Sequence, residues 1–378
     1  MPAVEEGKTV RTTPRLLHTP LTISVLGLGL ALATPVAAQR TLSPEGPAGG
    51  PRLIPLVTSG AAVPRVLLVD PLRYRVVASL PTGPDARGVA LSPDGRFAYV
   101  TSYAWEPEPT GSGDAAPSPD GGAGAPPLRH GVTVIDLEAR SVHAVFQPRD
   151  YRQLGAIAVG EGGARLWMTS EAENGVVEVD ARTGEVMMLW RTGGQGATDI
   201  AVSRDGRRVF TTNSGSDDIA VIDRLTVLSR RVPTGRRPGG VAVAPAGDEV
   251  WVVNSGDHTI SVFGDFDDLR ELRRFPSGGE EPVRIAFHAG RREAWISHRA
   301  SRTVTVAAMA SGERIGEISL PGEPREILFS DDGARAYILS PASQRVYTIA
   351  VASRRLVSSS GPAATPRPQP SAGARSPW

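Results

Sequence analysis

Between Thr198 and Asp223 the chain alternates short apolar runs with polar turns. Ile200-Ala201-Val202 leads into Arg204-Asp205-Gly206-Arg207; Val209 to Thr212 ends at Asn213; Gly215 to Asp218 is polar again; and Ile219 to Ile222 is closed by Asp223. Runs this short, joined by an Asp-Gly pair that tolerates positive φ, predict strands connected by tight turns. Leu228 to Val232 makes a fourth run before the break at Pro233-Thr234-Gly235. Four short antiparallel strands cannot bury both faces alone, so the unit must stack against copies of itself.

The rest of the chain supplies those copies. An aromatic residue stands ten positions after the start of each first strand, at Tyr99, Trp167, Phe210, Trp251, Trp295 and Tyr337, and the last five are spaced by 43, 41, 44 and 42 residues. The first gap of 68 residues holds an insertion at 103–130 so rich in Gly, Pro, Ser and Ala that it can bury little, and a mobile loop is expected there. Upstream, Leu53 to Thr58, Val66 to Val69 and Val76 to Leu80 match the second, third and fourth strands of the unit. Residues 41–46 echo 90–95 and are a candidate degenerate first strand. Seven copies of a four-stranded unit predict an all-β fold, a seven-bladed β-propeller of four-stranded antiparallel blades.

Composition agrees and narrows the chemistry. Gly 42 and Pro 33 suit many short strands and turns better than long helices. The absence of Cys excludes disulfides, thiolate zinc sites, iron–sulfur ligation, CxxCH haem attachment and a lipobox anchor. Lys8 is the only lysine, which removes a P-loop or Schiff-base lysine from everything after it.

Lys8 lies in a segment, residues 1–38, that reads as a signal peptide. It has basic residues Lys8, Arg11 and Arg15, an apolar core from Leu21 to Ala33, and small residues Val36-Ala37-Ala38 for cleavage. That core is too short to span a bilayer comfortably, so cleavage and export to the periplasm or cell exterior are expected, with no stable membrane span afterwards. Residues 39–360 are then the propeller and 361–378 a Pro-rich, disordered tail. Without the leader, 38 Arg face 38 Asp plus Glu, a balance that argues against general attraction for nucleic acid.

The run Val89-Ala90-Leu91-Ser92-Pro93-Asp94-Gly95-Arg96-Phe97-Ala98-Tyr99-Val100-Thr101-Ser102, with Val132-Thr133-Val134-Ile135-Asp136, resembles the YVTN-type β-propeller repeat of surface-layer and periplasmic proteins. The resemblance extends over roughly residues 53–360. It implies fold more than function, because such proteins include binding modules, lactonase-like enzymes and relatives of quinoprotein subunits. Ala246-Gly247 in the fifth unit and Gly290-Arg291 in the sixth depart from the Asp-Gly turn.

If first strands run down the central channel, loops joining blades and turns between second and third strands share an upper face. Binding sites in ring-shaped folds favour such a mouth. The residues preceding the first strands should then ring the channel, bringing Arg87, Arg284 and Arg325 together with Asp199 and Glu326. These arginines could hold an anion bidentately, or the charges could neutralise one another around water. A second upper-face set is Glu171, Glu173, Asn213, Asp217, Asp218, Asn254, Asp257, His258, His298 and Arg299. His298 would need Glu326 or Asp257 as partner to act as a base; otherwise it is a solvated surface histidine. The acidic run Gly264-Asp265-Phe266-Asp267-Asp268 lacks the ligand spacing of a calcium loop.

The expectation is therefore an exported, monomeric, non-catalytic propeller, with no cofactor and no metal, whose upper face binds a protein, a peptide or a cell-envelope component. The alternative is a lactonase-like hydrolase, with its active site at the channel mouth.

Overall fold

The computed structural model describes residues 41–42, 53–57, 65–73, 75–103, 131–148, 150–264, 266–330 and 332–361. The expected leader, the insertion beyond Tyr103 and the tail after Gly361 lie outside them. Among the described residues no helix is long and apolar enough to cross a membrane.

The fold is a seven-bladed β-propeller. Blade 4 shows the unit: Ala197–Val202, Arg208–Asn213, Asp218–Asp223 and Leu228–Pro233 pair antiparallel in sequence order. The same order builds blades 2 (residues 86–146), 3 (154–191), 5 (238–276), 6 (282–319) and 7 (326–360). Blade 1 has three described strands, Ile54–Val57, Arg65–Asp70 and Arg75–Pro81. Thr41–Leu42 does form a strand, but it pairs with the first strand of blade 7, parallel, with Thr41 opposite Phe329.

The turns follow from local side chains. Ser203 Oγ bonds the Asp205 carboxylate and accepts the Arg208 amide, while Gly206 takes the positive φ. Ser92 with Asp94 and Ser330 with Asp332 repeat the device in blades 2 and 7. In blade 5 the departure Ala246-Gly247 keeps a hydrogen-bonded turn with Gly247 at φ 81°. In blade 6 a short 3₁₀ turn, Ala289–Arg291, replaces it. At the end of the third strands, Asp70, Asp136, Asp180 and Asp223 each accept the amides two and three residues on.

Seven buried clusters hold the ring together, one between each pair of neighbouring blades. Each periodic aromatic belongs to one of them. Trp251 packs with Ile285 and Phe287 of blade 6, Trp295 with Ile327 and Phe329 of blade 7, and Tyr337 with Ile54 and Leu56 of blade 1. Burying such a ring removes about 200 Å² from water, roughly 5 kcal/mol before entropy is counted. The indole N–H groups of Trp251 and Trp295 donate to Glu249 and Glu293, each two residues earlier in the chain.

Nearest the axis, the first and second strands slip register in blades 2 to 6. A bulge leaves an amide without its ladder partner. In blades 2, 3 and 4 the threonine two after the aromatic takes it over: Thr101 accepts from Gly88, Thr169 from Ala156 and Thr212 from Asp199. The same hydroxyls reach the next blade, Thr101 donating to Gly155 O and Thr212 to Gly239 O, as Ser297 does to Arg325 O. These bonds fix where the residues at the channel mouth point.

Candidate ligand-binding face

Inter-blade loops and second-to-third-strand turns share one face, and hydrogen bonds tie them together. Asn174, Asp217 and His258 sit at φ 46°, 55° and 57° in equivalent turns, a conformation that short polar side chains tolerate. Asn174 Oδ1 accepts the Gly196 amide at 2.9 Å, Asp217 Oδ1 the Arg237 amide at 2.7 Å, and His258 Nδ1 the Glu281 amide at 3.0 Å. From the following blade, Ser216, Asp257 and Ser301 accept the amides of Gln195, Arg236 and Glu280. The loops leaving blades 3, 4 and 5 are therefore pinned from both sides, with Arg236, Arg237 and Glu280 left exposed.

Beneath those loops lie the last residues of the second strands. Asn213, Asn254 and His298 are each 0% exposed. They are covered by Gly194, Gly235 and Gly279, where a Cβ would come within 2.3, 2.6 and 2.7 Å of the covered side chain. His298 is thus neither a mouth residue nor a solvated one, because the glycine loop seals it. Neither ring nitrogen makes a well-formed hydrogen bond, so neither Glu326 nor Asp257 partners it. Burial pushes its pKa down to about 4; the nearby Ser277 and Thr303 backbone opposes this, and Arg314 and His258 add to it. A base requires access to substrate, and His298 has none here.

The structure brings Arg87, Asp199, Arg284, Arg325 and Glu326 to the axis and pairs them unequally. Arg284 of blade 6 reaches Glu326 of blade 7 at 2.9 Å and Asp199 of blade 4 at 3.5 Å. It passes across blade 5, whose first strand carries Gly239 and Gly240 there; a Cβ on Gly240 would lie 2.6 Å from Val283 O. Burial alone would lower the Arg284 pKa, but the charges of Asp199 and Glu326 outweigh that and raise it. Asp199 also accepts the Val241 amide at 3.0 Å.

Arg87 pairs with Asp85 at 2.9 Å and lies 3.6 Å from the centre of the Tyr103 ring. Tyr103 in turn donates to Glu171 of blade 3. Loss of solvent, then Glu171, push the Tyr103 pKa up to about 12.

Arg325 is different. Among the described residues its guanidinium has no hydrogen-bond or ion-pair partner, though the residue is exposed to the channel. Its pKa is lowered, first by loss of bulk solvent and then by Arg284.

Other expected site residues serve the frame. Asp218 is buried between Asn213 and Arg231, and Arg299 pairs with Glu281. Asp267 pairs with Arg208, and Asp268 with Arg230 and Arg270; Asp265 lies outside the described residues. No cluster of metal-ligating side chains occurs among the described residues. His288, at the opposite end of its strand from the mouth, accepts the Arg291 amide and donates to Gly333 O. Sequence reasoning missed Asp85 and Tyr103, which engage Arg87; their nearness to Arg87 and to the insertion was the available signal.

An NHL repeat model matches residues 236–263, the loop entering blade 5 and most of its first three strands. No curated protein matches the chain. Among solved structures, 1609 chains match, so the ring by itself identifies no activity. One is Kuenenia stuttgartiensis hydrazine synthase, with a TM-score of 0.65 and 16% identity, covering 86% of this chain and 99% of that one. Likeness at that identity concerns the fold alone.

Proposed function

We propose that this is an exported, non-catalytic, monomeric propeller of the YVTN type that binds a protein, peptide or cell-envelope component on its upper face. The observation that carries this reading is the pinned loop ring. It presents Arg236, Arg237 and Glu280 outward from backbone already held in place. A pre-ordered surface loses little freedom on association, which favours recognition. The ionisable groups beneath it are engaged in structural pairs, as Arg284 is with Asp199 and Glu326, and His298 is sealed. A lactonase-like mechanism would need those groups free at one pocket.

The test is affinity capture from an envelope extract by the purified protein, beside a variant carrying Arg236→Asp, Arg237→Asp and Glu280→Arg. A partner retained by the first and lost by the second supports the reading. Capture that survives these changes, or no capture at all, defeats it.

A further inference from the structure

We infer that Arg325 anchors a carboxylate of the ligand at the channel mouth. This rests on the reading of the upper face as the binding face and narrows it to one side chain and one chemistry. Three arginines converge on the axis, and two are already engaged: Arg284 by Asp199 and Glu326, Arg87 by Asp85 and the Tyr103 ring. Arg325 feels charges from blades 2, 4, 6 and 7 together, which places its guanidinium near the axis. Its backbone is fixed on both sides, the N–H donating to Leu339 O and the carbonyl accepting from Ser297, each at 2.8 Å. The main chain is therefore fixed and the guanidinium donors are open, and a planar fork of donors is matched bidentately by a carboxylate.

Charge selects the ligand class. Arg87 is met by Asp85, and Arg284 by both Asp199 and Glu326, so the two engaged arginines bring no net positive charge to the mouth. A monoanion brings one charge near Asp199 and Glu326; a phosphate dianion brings two. Without a net positive field, attraction over distance is weak, and recognition depends on the geometry of the fork.

The test is titration of the full chain with acetate and with inorganic phosphate, followed by the arginine Nε–H signals in NMR. Acetate is expected to shift the Arg325 signal and to bind at least threefold more tightly than phosphate. Arg325→Ala and Arg325→Lys should each weaken acetate at least tenfold, since a point charge lacks the fork, while Arg204→Lys, in the exposed turn between the first and second strands of blade 4, should not. Two peptides then separate the sources of the group, one with a free C-terminus and no acidic residue, the other amidated with an internal Glu; competition with acetate by either supports the anchor. Acetate binding unaffected by Arg325→Ala overturns the inference, as does preference for phosphate. If acetate binds at Arg325 but no envelope partner is captured, the anchor stands and the macromolecular reading falls. If a partner is captured equally by wild type and Arg325→Ala, the reverse holds.

Discussion

Replacing His298 by Asn, the residue that blades 4 and 5 carry at the same place, should remove a pH dependence of stability between pH 6.5 and 4. The imidazole is 0% exposed, and burial lowers its pKa from 6.5 to about 4. Above pH 6.5 it is neutral in both folded and unfolded chains and contributes no pH dependence. As pH falls below 6.5, the unfolded chain takes up a proton that the folded chain refuses, so stability declines until the folded pKa is reached. The full loss is about 3 kcal/mol, and about 2 kcal/mol is already gone at pH 5. Carboxylates such as Asp70, Asp136 and Asp223 have pKa values held below their usual 3.8. Their stabilisation is present above 3.8 and lost only as pH falls through the lower folded values, beneath this window. Urea denaturation of wild type and His298→Asn at pH 7.5, 6.5, 5.5 and 5.0 gives the difference directly, and other titrations cancel in it. The wild type should lose about 2 kcal/mol relative to the variant between pH 7.5 and 5. A difference that stays constant to within about 0.5 kcal/mol would show that His298 is solvated, and the sealed-loop argument would fail.

That histidine also marks the boundary of what a one-dimensional pattern carries. The repeat was legible because aromatic spacing, Asp-Gly turns and apolar alternation are local signals, and each appears in the structure as strand, turn or inter-blade cluster. The equivalence of His298 with Asn213 and Asn254 was legible too. Its burial was not, because the cover comes from glycines in the inter-blade loop that enters the blade. The Thr-Gly and Ser-Gly pairs at Thr192-Gly193, Thr234-Gly235 and Ser277-Gly278 are the trace that loop leaves in sequence. The pairing at the axis lies further out of reach. Convergence of Arg284, Asp199 and Glu326 followed from the repeat, but Arg284 bypassing blade 5 depends on glycines supplied by that blade. Which charge remains unpaired is then a property of the closed ring rather than of any one unit.

Three further outcomes follow from the same contacts. Arg284→Met should destabilise the ring by about 3 to 5 kcal/mol in urea, because Asp199 and Glu326 lose their counter-charge; adding Asp199→Asn and Glu326→Gln should recover much of this, and no recovery would refute the pairing. His258→Ala should cost about 1 kcal/mol by removing the acceptor for the Glu281 amide, and His258→Asn, matching Asn174, should cost less. The inter-blade hydroxyls allow the sharpest comparison. Thr212 is 0% exposed, accepting from Asp199 N at 3.1 Å and donating to Gly239 O at 2.6 Å. Thr212→Val keeps the shape and orphans both groups, a cost of about 2 to 4 kcal/mol. Thr212→Ser keeps the hydroxyl, as Ser297 does in blade 6, and loses one methyl, about 1 kcal/mol. If the two substitutions cost the same, packing rather than the hydroxyl bridge joins these blades. Should Val cost the more, the bulge in the first strand of blade 4 is held by a hydroxyl from the second, and Thr101 and Thr169 hold those of blades 2 and 3 in the same way.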